Sequence, residues 1–271
     1  MIWGFANING ASLYYEMTGE GQPLVMLHTG ITDSTMWDYQ FYVFGEHFQV
    51  VRYDLRGFGR SLPVEGTYSH HDDLRALLDH LGIEHAYLMG GSLGGMTCVD
   101  FALTHPERVD GLILVGTGLG GYVSPNGVDS APDEDEAEAA LEAGEYVRAA
   151  EFETRWWVDG PKRKSEQVNP ALRDRVTMMN AVNLEYEARG LGEEQDLEPP
   201  AAQRLSELHT PLLVIVGDLD RFKILEVADL LAAEVPGAQK FVMHGTAHVP
   251  SMEQPEIFNG LVLSWLQTHI G

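Results

Sequence analysis

Gly90-Gly91-Ser92-Leu93-Gly94-Gly95 follows the apolar run His85-Ala86-Tyr87-Leu88-Met89 and opens a helix-like stretch that Pro106 ends. The pattern Gly-x-Ser-x-Gly between a strand and a helix has a specific physical use. A sharp turn there forces the serine backbone into a strained conformation. Neighbours on the crowded side of such a turn must lack side chains, which is the part of Gly90 and Gly94. The turn lifts the Ser92 hydroxyl above the sheet as a candidate nucleophile. It also sets the Leu93 N–H at a helix N-terminus, where it can donate to a developing oxyanion. The bland alternative is a glycine-rich turn that merely holds a serine.

Outward from this stretch, short apolar runs alternate with helix-like ones. Pro23–His28, Gln49–Tyr53, Val109–Val115, Pro211–Val216 and Gln239–Met243 are near-continuous apolar segments. Such runs suit strands buried on both faces of a parallel sheet. Between them, Asp72–Leu81 places Leu74, Leu77, Leu78 and Leu81 on one helical face, and Gly82 stops it. Lys223–Glu234 and Ile257–His269 are also read as helices. Ahead of them, Ile2–Asn9 and Ser12–Thr18 look like a hairpin joined at Gly10. The alternation predicts an α/β fold: a doubly wound, mostly parallel sheet of about eight strands.

One segment breaks the rhythm. From Gly118 to Gln203 there is no convincing strand, only helical and irregular sequence. It is acidic at first, holds Trp156-Trp157 in its middle and ends near Pro199-Pro200. We read residues 118–203 as a helical cap inserted into a core domain of residues 1–117 and 204–271. Ligands of open α/β sheets bind at the carboxyl ends of the strands, so an insertion there becomes a lid over the site. A surface excursion without a role would not need paired tryptophans. As adjacent residues of an α-helix, these point about 100° apart, so only one is expected to face the cavity.

A serine hydroxyl needs a base. Eleven histidines compete for the part. His248 lies in the loop after the last strand, on the sheet edge that carries Ser92. His244, at the end of that strand, is the runner-up. The base in turn needs a carboxylate to hold its tautomer. Gly217-Asp218-Leu219-Asp220 follows the strand Pro211–Val216. Asp218 can cap the turn, whereas Asp220 sits further into the loop, where it can reach His248. Asp220 is the expected acid and Asp218 the alternative.

Composition sets outer bounds. The 271 residues suffice for one α/β domain with an insertion, and 44% hydrophobic with 21% charged residues reads as soluble and globular. A formal net charge of −24 repels phosphate backbones and argues against nucleic acid as a partner. No apolar run is long enough to cross a bilayer, so no membrane partner is expected. The N-terminus lacks a signal-peptide pattern, and the single cysteine, Cys98, forms no internal disulfide. These features favour the cytoplasm. No zinc-binding or phosphate-loop motif appears.

With these residues in place, the chain resembles the α/β-hydrolase family over essentially its whole length. The order Ser92, Asp220, His248 is the order of that fold. Leu27-His28-Thr29-Gly30 resembles the His-Gly-x element after the third strand, although Thr29 stands where glycine is usual. That element implies a second oxyanion donor, by position the Gly30 N–H, with the Ile31 N–H as alternative, and a bracing part for His28. Asp54-Leu55-Arg56-Gly57-Phe58-Gly59-Arg60-Ser61 resembles the family's D-x-R-G-x-G-x-S turn, and Met252-Glu253-Gln254-Pro255 its lead-in to the last helix. Cys98 reads as a small buried filler. Family members that open epoxides or displace halide use aspartate where this chain has Ser92. The resemblance therefore implies the branch of small carboxylesterases, enol-lactone hydrolases, haloperoxidase-like enzymes and carbon–carbon bond hydrolases.

From that branch we expect hydrolysis of a small carboxylic ester or lactone through an acyl-enzyme, with no metal or organic cofactor, by a monomer or homo-oligomer. A carbon–carbon bond hydrolase, or a small-molecule-binding relative with little turnover, is the alternative. Trp156 and Trp157 are candidate substrate-binding residues, with Met178 or Met179 as further apolar candidates. Arg155 is either a partner for a substrate carboxylate or a surface charge among acidic neighbours.

Overall fold

The computed structural model describes residues 1–269. Eight strands form one sheet: β1 (Ile2–Ile8), β2 (Ala11–Thr18), β3 (Pro23–Leu27), β4 (Gln49–Tyr53), β5 (Ala86–Gly91), β6 (Val109–Val115), β7 (Leu212–Gly217) and β8 (Gln239–Met243). Their order is β1-β2-β4-β3-β5-β6-β7-β8. The expected mostly parallel sheet is present: β2 pairs antiparallel with both β1 and β4, and the pairs from β4 to β8 are parallel. Asn9 and Gly10 both take positive φ, at 46° and 77°. That is the two-residue turn whose twist matches a right-handed hairpin.

The apolar runs alternate sides, which makes two cores. Val25, Leu27, Val51, Leu88, Leu112, Leu114 and Val214 face α2 (His70–Leu81), α3 (Leu93–Thr104) and α7 (Phe222–Glu234). Leu24, Met26, Val50, Met89, Ile113, Val115 and Ile215 face α1 (Asp38–Gly45) and α9 (Pro255–His269). Burying each such side chain stabilises the fold by roughly 1.5–3 kcal/mol relative to exposure. Cys98 is fully buried in the first core, and burial pushes its thiol pKa up. Helix α2 starts at His70, two residues before the position expected from its leucine spacing, with Ser69 as its extended N-cap and the Asp73 N–H donating to Ser69 O.

Between β6 and β7 lie α4 (Glu134–Glu142), α5 (Tyr146–Thr154), a π-helical turn over Arg155–Asp159, and α6 (Pro170–Glu187). Asn169 caps α6 by accepting from the Ala171 N–H, and Pro170 occupies the first turn. One strand that the sequence did not suggest lies here. Glu193–Glu194 pairs in parallel with Thr67–Tyr68. Two residues are too short to leave a periodic signal. A short helix α8 (Pro250–Glu253) precedes α9. Among the described residues, no helix is long and apolar enough to cross a membrane.

Strand register aligns the sheet's carboxyl edge. Leu27 pairs with Tyr53 and with Gly90, Gly91 with Val115, and Gly217 with Met243. The loops after β3, β5, β7 and β8 therefore leave the sheet at one level.

Candidate active site

Ser92 follows β5 with φ 47° and ψ −111°. Among the described residues, only Asn9 shares a positive φ without being glycine. Such a conformation costs on the order of 1–3 kcal/mol and persists only where the surroundings enforce it. Here they do. The Ser92 N–H donates to Val115 O at 2.9 Å, and the Gly94 N–H donates to His28 O at 3.1 Å. A Cβ on Gly90 would sit 2.3 Å from Gly94 O, and one on Gly94 would sit 2.6 Å from both His28 O and Leu27 O. These are backbone atoms, so they cannot swing away. We therefore expect Gly94→Ala to lower stability by at least about 1–3 kcal/mol, the usual range for overpacking. A urea melt in which Gly94→Ala matches the parent midpoint would remove the crowding argument.

His248 and Asp220 meet as expected. His248 Nδ1 lies 3.0 Å from Asp220 Oδ2 and 3.2 Å from Oδ1, and both side chains are buried. A carboxylate only accepts, so Nδ1 carries a proton, and in the neutral ring the lone pair is then on Nε2. The Arg221 N–H donates to Asp220 Oδ1 at 2.8 Å and fixes the carboxylate plane. The loop of Ser92 adjoins this pair through Gly116. A Cβ there would sit 3.3 Å from Asp220 Oδ2 and 3.4 Å from His248 Nδ1, and the neighbouring Thr117 hydroxyl donates to Ser92 O. The two runners-up pair with each other instead. Asp218 accepts from the Gly245 N–H at 2.7 Å and lies 2.9 Å from His244 Nδ1, with the His244 ring exposed. Asp218 is thus the turn cap, and these hydrogen bonds hold its pKa below the usual carboxylate value.

The loop after β3 brings Gly30 beside Leu93. A Cβ on Gly30 would lie 3.9 Å from the Leu93 Cβ. Neither amide N–H has a protein acceptor among the described residues. His28 braces this loop. Its Nε2 accepts from the Leu55 N–H at 2.9 Å, so Nδ1 donates to Thr29 O at 2.7 Å. Burial lowers its pKa and keeps it neutral. The Asp54–Ser61 turn is equally tied. Asp54 accepts from the Ser34 and Arg60 N–H groups, and Gly59, at φ 52°, leaves no room for a Cβ beside Asp54 Oδ2.

Trp156 and Trp157 sit on a π-helical turn rather than on an α-helix. The two rings stack at 5.5 Å between centroids and 24° between planes. Trp157 also lies against the His248 ring, 4.3 Å between centroids. The Arg221 guanidinium sits 3.9 Å from the centre of the Trp156 ring and forms an ion pair with Asp129 at 2.6 Å. Arg155 is exposed and pairs with Glu151 and Asp133, which makes it the surface charge of the two readings. Met179 is buried, whereas Met178 is exposed.

Asn183 and Arg163, which the motifs did not mark, also shape the site, together with Glu253 of the Met252–Pro255 element. Asn183, from α6, donates to Thr32 O at 2.9 Å and Gly30 O at 3.5 Å, and accepts from the Gly59 N–H at 3.3 Å. Arg163 donates to Gly245 O at 3.1 Å and to Glu253 Oε2 at 2.7 Å, while Glu253 Oε1 accepts from the Ala247 N–H. Arg163 and Glu253 thereby hold the loop of His248 from both sides. Among the described residues, no group of three or more His, Cys, Asp or Glu side chains is arranged to hold a metal.

A family model described as the alpha/beta hydrolase fold matches residues 22–255. A Paraburkholderia phymatum protein named 2-hydroxy-6-oxononadienedioate/2-hydroxy-6-oxononatrienedioate hydrolase is 31% identical over 268 residues, covering 94% of this chain and 90% of its own. A carboxylesterase of Bacillus subtilis is 28% identical, covering 90% of this chain and 79% of its own. Among solved structures, an esterase from Thermogutta terrifontis superposes with a TM-score of 0.78 at 28% identity, covering 99% of each chain. Another, Est816, described as an N-acyl homoserine lactone degrading enzyme, gives 0.75 at 28% identity, covering 96% of this chain and 99% of that one. The sheet order, the strained turn at Ser92 and these matches agree: the chain belongs to the α/β-hydrolase fold family.

Proposed function

We propose that this protein is a serine hydrolase that cleaves a small carboxylic ester or lactone through an acyl-enzyme. Ser92 is the nucleophile, His248 the base and Asp220 the acid that orients it. His248 Nε2 takes the hydroxyl proton as Ser92 Oγ attacks the carbonyl carbon, and then gives it to the leaving oxygen. The Leu93 and Gly30 amides hold the oxyanion. A water that gives its proton to His248 Nε2 then attacks the acyl carbonyl, and Ser92 Oγ leaves with that proton. A lactone gives one hydroxy acid instead of two products. The observation that carries this reading is the buried Asp220–His248 pair, whose Nε2 has no hydrogen-bond partner among the described residues, next to the loop of a strained serine. Residues 118–203 act as the cap that walls the pocket.

A carbon–carbon bond hydrolase is the second reading, favoured by the name of the Paraburkholderia relative. That name describes a dicarboxylate. A dicarboxylate needs cationic partners, and the base lining the cavity of about 370 Å³ at Gly30, Arg56, is bound to Asp73 by two hydrogen bonds of 2.8 and 2.7 Å. Ester and lactone substrates carry no such requirement. Turnover of p-nitrophenyl esters of graded chain length, a small lactone panel and a 2-hydroxy-6-oxodienoate separates the two. Cleavage of the dienoate alone would overturn the ester reading.

Trp157 touches His248, whereas Trp156 lies against Trp157 and Arg221. Trp157→Ala is therefore expected to reorder the preference between short and long acyl chains and to lower kcat by about tenfold or more. Trp156→Ala is expected to reduce all substrates by a similar fraction. The reverse pattern would place Trp156 at the pocket wall.

A further inference from the structure

The turn that carries Trp156 and Trp157 is wedged between the loops of Asp220 and His248. The His248 N–H donates to Trp157 O at 3.4 Å, and the two rings lie 4.3 Å apart between centroids. At Gly160, with φ 72°, a Cβ would sit 2.5 Å from Leu219 O and 3.1 Å from the Ala247 Cβ. Arg221 closes the far side of the tryptophan stack. Its guanidinium lies 3.9 Å from the centre of the Trp156 ring and 5.2 Å from that of Trp157. Asp129, from the segment after β6, holds it there through its carboxylate at 2.6 Å and through its carbonyl oxygen. Asp129 also accepts from the Lys223 N–H at 3.2 Å. The backbone of Arg221 is tied as closely. Its N–H donates to Asp220 Oδ1, and its carbonyl accepts from the Ile224 and Leu225 N–H groups at the start of α7. The contacts close a circuit from Asp220 through His248, Trp157, Trp156 and Arg221 back to Asp220.

The circuit bears on one degree of freedom. The hydrogen bond from Nδ1 to Asp220 holds one corner of the His248 ring. A ring held at Cβ and at Nδ1 still swings about the line joining them, and that swing displaces Nε2. Trp157 lies against the ring face and stops the swing towards it. Trp157 is backed in turn by Trp156, and Trp156 by a guanidinium, whose charge is attracted to the indole face. Misplacing a reacting group by about 1 Å costs on the order of a hundredfold in rate.

We propose that Arg221 is a positioning residue for the triad. Its N–H sets the plane of Asp220, and its guanidinium, latched by Asp129, holds the tryptophan stack on His248 and so aims Nε2 at Ser92. The inference rests on the triad reading given above.

The test follows two rates. One is the labelling of Ser92 by a fluorophosphonate, which needs an activated hydroxyl but no natural substrate. The other is turnover of p-nitrophenyl esters of graded length. Arg221→Met keeps the backbone N–H and most of the stem and removes the cation. It is expected to lower labelling and kcat by about tenfold at every chain length, with KM within about twofold of the parent. Arg221→Lys returns a cation to Asp129 and the indole, and is expected to recover most of the loss. Arg155→Met removes the same charge from an exposed place beside the tryptophans, and is expected to change either rate by less than about twofold. Arg221→Met with Trp156→Ala is expected to lose no more than the larger single loss, because both break one circuit. Should Arg221→Met fail to fold, Asp129→Asn carries the test. It loosens only the latch and is expected to lower labelling and kcat by about threefold. Rates equal to the parent, a loss confined to KM, no recovery in Arg221→Lys, or losses that multiply in the double variant overturn the proposal. If the parent labels at Ser92 but hydrolyses no ester, the ester reading fails and the labelling rates still decide the part of Arg221. If the parent does not label, the triad reading falls and this proposal with it.

Discussion

Ser92→Ala is expected to lower kcat for ester hydrolysis by about 10⁶-fold while leaving the fold in place. The size follows from the chemistry: without the hydroxyl there is no acyl-enzyme, and only oxyanion binding and proximity remain. The fold survives because the turn is held by backbone contacts, Ser92 N to Val115 O and Gly94 N to His28 O, and by the side-chain vacancies at Gly90 and Gly94. None of these uses the hydroxyl. A fluorophosphonate should add to Ser92 in the parent and nowhere in the variant. Full activity in Ser92→Ala, or an adduct on another residue, would sink the nucleophile assignment.

Asp220→Asn is expected to lower kcat by about 10⁴-fold, with an intact fold. The hydrogen bonds around Asp220 say why. The Arg221 N–H binds Oδ1 at 2.8 Å, and an asparagine keeps that bond only by placing its own oxygen there. Its Nδ2 then faces His248 Nδ1 from the position of Oδ2. A donor in that place demands an acceptor at Nδ1, which moves the proton to Nε2, where the base needs a lone pair. Asp218→Asn lacks this consequence. Its Oδ1 still accepts from the Gly245 N–H, and its partner His244 is exposed. We expect less than about a tenfold loss there. Steady-state kinetics on the two variants ranks the aspartates, and a larger loss at 218 would reverse the assignment of the acid.

The parts of this molecule that were legible in its sequence are those whose signal is local. Gly90, Ser92 and Gly94 lie within five residues, and the steric reason for each glycine is complete within that turn. Asp220 and His248 were found by position, because both follow apolar runs that end on one sheet edge. The choice of Asp220 over Asp218 rested on loop length, and burial of the Asp220–His248 pair agrees with it. At the tryptophans only the assumed α-helical backbone failed, because nothing in Arg155–Asp159 announces a π-turn. Asn183 and Arg163 were out of reach for another reason. Their partners lie 151 and 90 residues away, so no spacing rule connects them.

Asn183 grips the loop of Gly30 from α6, and Arg163 grips the loop of His248 from the turn before α6. The consequence is one of inheritance. A roof that only walled a pocket could be exchanged between relatives like a part, changing what is bound while sparing what is done. On the proposed reading, this roof carries fasteners for the catalytic loops. A chimera that imports a foreign segment between β6 and β7 must bring an asparagine and an arginine to these places, or it loses rate together with selectivity. New specificities in this lineage are therefore easier to reach by single changes on the cavity side of α5 and α6 than by exchange of the whole segment.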